Sequence, residues 1–175
     1  MAIYVIGNLT LDLILRSLED MPSWGIEITV ENLAYRVAGN LGNFSFAART
    51  IGIKPIIIGN IGNDANGKIV LRELKKNGLD TSLIKLEEDK KTSLTVVFVR
   101  KDGERTFITY SGQLNNIDNC FLQECLDKIK PNSIVILCSL FQLPNLKLVD
   151  VINFYKKLKN RKCKTLLDTG WDLNG

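Results

Sequence analysis

Asn40 and Asn43 stand three residues apart in Ala38-Gly39-Asn40-Leu41-Gly42-Asn43, a glycine-rich turn running into an apolar segment rich in small residues. Such a turn frees backbone N–H groups and sets both amides at a helix N-terminus, where an oxygen-rich ligand can be held. A simpler reading stands beside this one: the glycines serve only a tight strand-to-helix connection, since glycine adopts φ > 0 without steric cost. Asp12 is the third polar candidate, a lone carboxylate among the leucines and isoleucine of Leu9 to Leu15. It lies just past the first apolar run, where ligands of open α/β sheets bind. A carboxylate buried without partners is costly, so Asp12 needs donors or a ligand, or else it caps a turn.

The composition narrows the chemistry. The chain has no histidine, which excludes Ser-His-Asp and Cys-His nucleophile systems and His-containing zinc sites. Acid–base work would fall to Asp, Glu, Lys, Tyr or Cys, and a hard cation such as Mg²⁺ could still be bound through oxygen. The four cysteines, Cys120, Cys125, Cys138 and Cys163, form no C-x-x-C pair and read as reduced thiols of a cytoplasmic protein. The glycines at 39 and 42 lack the third of G-x-G-x-x-G, and no Gly-Lys-Ser/Thr follows, so neither the dinucleotide fingerprint nor the P-loop is present. This argues against a Rossmann-type oxidoreductase. The net charge is +4, and the basic runs Lys68 to Lys76 and Lys156 to Lys164 accompany helical apolar spacing; they read as solvated helix faces rather than a nucleic-acid patch. No apolar run approaches the ~20 residues of a membrane helix.

Positioning these side chains requires a sheet. The 175 residues, 45% of them hydrophobic, suffice for one core. Strands are expected at Ala2 to Ile6, Pro55 to Gly59, Thr81 to Leu86, Ser133 to Cys138 and Thr165 to Asp168. Helices are expected at about Asn40 to Ile51, Gly67 to Lys76 (closed by Gly78), Asn119 to Ile129 and Asn145 to Leu158. Strands alternating with helices argue for a parallel sheet covered on both faces. Ile26 to Val37 reads as one or two strands of a small subsidiary sheet. Thr92 to Arg100 and Arg105 to Tyr110 flank Lys101-Asp102-Gly103-Glu104, a strong hairpin signal, and this hairpin is expected to pair with the Ile26 to Val37 strands. A loop from Thr169 to Gly175 follows the last strand.

Together these pieces resemble the N-terminal portion of the PfkB, or ribokinase-like, carbohydrate kinases. Ala38 to Asn43 with the helix, Gly52, Gly59 and Gly62 looks like that family's first signature. Gly7-Asn8 through Asp12 is similar to its sugar-binding first loop, and Pro22, Gly25 and Glu27 to the start of its lid. Gly59 to Asp64, Gly67 and Gly78-Leu79-Asp80-Thr81 resemble its second βα unit, and Gly103, Arg105 and Ser111-Gly112 its lid hairpin.

The resemblance implies a three-layer α/β/α sandwich with a mostly parallel sheet and a small β-sheet lid. It implies one ribokinase-like domain over 1–175, incomplete at its C-terminus, with lid segments at about 13–37 and 92–111. The implied activity is transfer of the ATP γ-phosphoryl group to a hydroxyl of a sugar or sugar-like alcohol. By position, Asp12, Gly39, Asn40 and Asn43 would hold that acceptor, a set suited to a polyol because a carboxylate accepts from hydroxyls while an amide both donates and accepts. Thr95, Val97 and Arg105 are further lid contacts. The family's Gly-Ala-Gly-Asp segment, with its catalytic base, and its nucleotide pocket are not in the sequence up to Gly175, so ATP and Mg²⁺ belong to the full-length family member and the chain alone is expected to be inactive. Ala38 stands where Gly is usual, and Asn40 where ribokinases proper have Lys, which disfavours ribose itself. Asp168-Thr169-Gly170 looks like the family's Asp-Pro-Asn or Asp-Pro-Gly strand end, with Gly170 where a phosphate-contacting Asn is often found. The family's lids can pair between subunits, giving a homodimer. The alternative is a non-catalytic sugar-binding or regulatory module derived from such a kinase.

Overall fold

In the computed structural model, which describes residues 1–172, the central strand is β1 (Ile3–Ile6), a short apolar run buried along most of its length. It pairs in parallel with β4 (Ile56–Gly62) on one side and β8 (Ile134–Leu137) on the other. β5 (Ile84–Glu87) and β9 (Lys164–Leu167) complete the parallel order β5-β4-β1-β8-β9. Alternate side chains of β1 point to opposite faces. Tyr4 and Ile6 enter a core with Phe121 and Leu122 of α3 (Asn119–Lys128) and Val151 and Phe154 of α4 (Leu148–Asn160). Val5 enters a second core with Leu41 of α1 (Gly39–Thr50) and Val70 and Leu74 of α2 (Ala65–Lys76). Two helices thus cover each face, as expected.

A second sheet has the order β3-β2-β6-β7, built from β2 (Thr10–Leu18), β3 (Asn32–Ala38), β6 (Leu94–Arg100) and β7 (Arg105–Tyr110). Its composition corrects two expectations. The β6–β7 hairpin forms as read, but β6 pairs with β2, in parallel, and not with β3. Within Ile26 to Val37 the strand begins only at Asn32, and residues 26–31 form none. β2 is the strand that joins the two pairs, and it escaped notice because Leu11, Leu13, Ile14 and Leu15 put apolar side chains on both faces, so its sequence shows no alternation. Smaller shifts have local causes. α4 starts at Leu148 rather than Asn145, with Lys147 and Asp150 bonded reciprocally at its start. β5 starts at Ile84, after a turn in which Asp80 accepts from the Ser82 N–H. Of the loop read from Thr169 to Gly175, residues 173–175 lie outside the described residues.

Candidate functional site

The N-terminus of α1 meets the carboxyl ends of β1 and β9, on the edge of the parallel sheet where such folds bind ligands. Gly39 makes this junction. Its φ is +76°, and a Cβ there would stand 2.3 Å from the Asn8 carbonyl oxygen, so only glycine lets β3 turn into α1 against β1. The Asn40 N–H donates to Asn8 Oδ1 at 2.8 Å, and Asn8 Nδ2 donates to Gln142 Oε1 at 3.4 Å. Asn40 Nδ2 donates to Asp168 Oδ2 at 2.7 Å. Asn8 and Asp168, far apart in sequence, therefore fix one residue at the helix start, and Gln142 braces Asn8. Asn43, three residues on and one turn up the same face, is exposed.

The second sheet adds Asp12. In its register Arg36, Asp12, Thr95 and Thr109 form one row across the four strands, with side chains on a common face. Thr10, on the same face of β2, lies opposite Ala38, the residue before Gly39. The Thr10 hydroxyl donates to Asp12 Oδ1 at 3.2 Å, and the Thr95 and Thr109 hydroxyls share a hydrogen bond of 3.0 Å. Burial pushes the Asp12 carboxyl above its ordinary value, while the Thr10 hydroxyl and the Arg36 charge pull it back only in part. Between the unfolded value near 3.8 and the raised one the folded chain holds a proton that the unfolded chain releases. Stability from this group therefore falls as pH rises through that window. Ionised Asp12 is under-solvated, and donors from a ligand would relieve it.

The lid candidates do not all converge. Thr95 sits beside Asp12 in the row, and Val97, buried, follows in the next row with Ile14 and Phe107. Arg105 pairs with Val99, four residues along β6 from Thr95, or about 13 Å at 3.3 Å per residue. There it lines a separate hollow of about 410 Å³ with Leu18, Arg100 and Glu104. Sequence reading passed over Arg36 and Thr109, which only strand register brings to Asp12, and Gln142, which reaches Asn8 across 134 residues.

Two polar clusters anchor the second sheet to the first. The Thr92 hydroxyl donates to Asp64 Oδ1 at 2.6 Å, and the Thr92 N–H donates to Asp64 Oδ2 at 3.1 Å. Asp64 also caps α2 by accepting from the Gly67 N–H. Burial alone would raise the Asp64 carboxyl, but these donors outweigh it and hold it below its ordinary value. Its contribution to stability is present above the unfolded value and is lost as pH falls through the folded one. Gln113, wholly buried, donates to the Leu9 carbonyl at 2.9 Å and the Asn60 carbonyl at 3.2 Å, and accepts from the Ser93 N–H. One side chain therefore ties the entries of β2 and β6 to β4.

Among the described residues no group of three or more His, Cys, Asp or Glu side chains could hold a metal ion. No helix among them is long and apolar enough to cross a membrane.

A model of the pfkB family carbohydrate kinases matches residues 2–173. A ribokinase of Schizosaccharomyces pombe is 28% identical over 142 residues, covering 77% of this chain and 44% of that protein. A probable fructokinase-3 of Arabidopsis thaliana is 35% identical over 72 residues, 41% of this chain and 21% of that protein. The structure of an Arabidopsis thaliana ribokinase complexed with ribose and ATP superposes with a TM-score of 0.72 at 19% identity, covering 99% of this chain and 55% of that one, a likeness of fold. The chain spans about half the length of the ribokinases it matches.

Proposed function

The chain belongs to the pfkB family of carbohydrate kinases, and on that premise we propose that it forms the acceptor-binding part of a sugar kinase, with the β3-β2-β6-β7 sheet as its lid. The supporting observation is the row Arg36-Asp12-Thr95-Thr109 standing beside the Gly39-Asn40 turn, through Thr10 opposite Ala38. This assembles a desolvated carboxylate, hydroxyls and amides, the donor and acceptor set that a polyol requires. Asp12 accepts from acceptor hydroxyls, Asn40 and Asn43 orient the sugar, and the lid excludes water so that hydrolysis does not compete with transfer. Among the described residues no acidic cluster gathers, and the Asp64 and Asp168 carboxylates are each taken by three donors of the chain. We assign ATP, its metal and the catalytic base to none of the described residues.

Asp12→Asn and Asn43→Ala are each expected to weaken acceptor binding by about 1–3 kcal/mol, the worth of lost hydrogen bonds to charged or polar groups. Calorimetry on the longest form of the protein that its native cell makes checks this, and unchanged affinity in both variants would sink the assignment. A screen of neutral sugars with ATP on the same material tests the activity. Turnover supports the kinase, whereas saturable sugar binding without turnover supports the binding-module reading.

We further propose that the lid pairs with a second copy. Its other face carries the row Tyr35-Leu13-Val96-Ile108, and Leu33, Tyr35, Ile108 and Tyr110 on it are all more than half exposed. Such a contiguous apolar face marks an interaction site. Ile108→Asp is expected to shift a dimer to monomer in analytical ultracentrifugation with the fold intact; a wild-type chain already monomeric at high concentration would refute the pairing.

A further inference from the structure

Asp168, at the end of β9, has a carboxylate built into the fold. Its Oδ2 accepts from the Ser139 N–H at 3.1 Å and its Oδ1 from the Gly170 N–H at 3.1 Å. Both donors sit in left-handed backbone, Ser139 at φ +61° and Gly170 at φ +69°, so two tight turns converge to hold this one side chain. The remaining donor to Oδ2 is Asn40 Nδ2, at 2.7 Å. A carboxylate held by backbone N–H groups can only accept, so the end of the Asn40 amide facing it must be the NH₂ group. The amide is planar, and Oδ1 is then the end left over; no donor among the described residues reaches it.

We infer that Asp168 is a positioning residue that locks the Asn40 amide in one orientation, leaving Asn40 Oδ1 to accept from the acceptor molecule. This rests on the proposal that Asn40 faces the acceptor. Asp12 is likewise an acceptor, so the two groups together read hydroxyls as donors. The substrate chemistry at these two positions follows: a polyol with free hydroxyls at both, since a carboxylate placed at either would meet Asp12 or Asn40 Oδ1 with no proton to give. The tie also explains why asparagine suits position 40, since an aspartate would set two carboxylates against each other.

D-ribose, D-fructose and their single-position deoxy and deoxyfluoro analogues provide the test, because neither hydrogen nor fluorine can donate. Wild-type protein is expected to lose tenfold or more in affinity for both analogues at the position read by Asn40. Asp168→Ala frees the amide to turn, and the loss at that position should shrink below threefold while discrimination at the Asp12 position stays. A merely structural Asp168 would lower thermal stability and leave both discriminations intact, which would overturn the inference. If Asp168→Ala does not fold, the wild-type NMR spectrum decides. One Asn40 side-chain amide proton displaced downfield supports the lock, and an ordinary position for both refutes it. Wild-type protein that shows the displaced proton but binds no sugar would retain the lock while ending the acceptor reading and, with it, the specificity claim.

Discussion

Replacing Gly39 with alanine is expected to cost at least about 3 kcal/mol of folding free energy and to remove sugar binding with it. The left-handed φ alone costs roughly 1–2 kcal/mol for a residue with a Cβ. The larger part is collision: the new methyl would lie 2.3 Å from the Asn8 carbonyl oxygen and 2.9 Å from its carbon, both backbone atoms of the strand-end turn. Relief requires α1 to back away from β1, which breaks the Asn40 N–H bond to Asn8 and displaces Asn40 from Asp168. Gly52 supplies the control. Its φ is +81°, yet nothing lies within 4 Å of a Cβ built there, so Gly52→Ala should cost only the backbone term. Urea unfolding measures both, and equal midpoints for the two variants would refute the close-approach account of Gly39.

Gln113→Ala is the second large effect, about 3 kcal/mol or more. It deletes three hydrogen bonds at a wholly buried position and leaves the Ser93 N–H and the Leu9 and Asn60 carbonyls to lose their partner. Each buried group so orphaned costs roughly 1–3 kcal/mol. Because Leu9 and Ser93 immediately precede β2 and β6, hydrogen exchange should rise first in those two strands. Gln113→Glu sharpens the test. A carboxylate there faces two carbonyl oxygens with no proton to give, so its pKa rises and its destabilisation grows as pH rises. A pH-independent loss in Gln113→Glu, or full stability in Gln113→Ala, would contradict this role.

The inner strands of the main sheet, β1, β4 and β8, were legible because they are short apolar runs separated by helical periods, a pattern set by burial on both faces. The hairpin was legible from its Asp-Gly turn. The inner strand β2 of the second sheet was not, because Leu11 packs into a core while Asp12 lies in the polar row, and the identity of β2 depends on a parallel partner some 80 residues away. The glycine-rich turn and the lone carboxylate drew attention to Gly39, Asn40 and Asp12, and the resemblance implied that they hold an acceptor, but local sequence says nothing of what they touch. The clash that makes Gly39 glycine involves Asn8, and the partner of Asn40 is Asp168, 128 residues on. Arg105 shows the converse: a position supplied by resemblance that strand geometry carries about 13 Å from the Asp12 row.

The most direct test of the central claim is two-dimensional NMR of the wild-type chain titrated with D-ribose and D-fructose. Saturable shifts confined to Gly39–Asn43, Asp12, Thr95 and Thr109 are the predicted result for at least one sugar. Saturable shifts that bypass these residues, gathering instead at the Arg105 hollow or along the outer face of the second sheet, would contradict it.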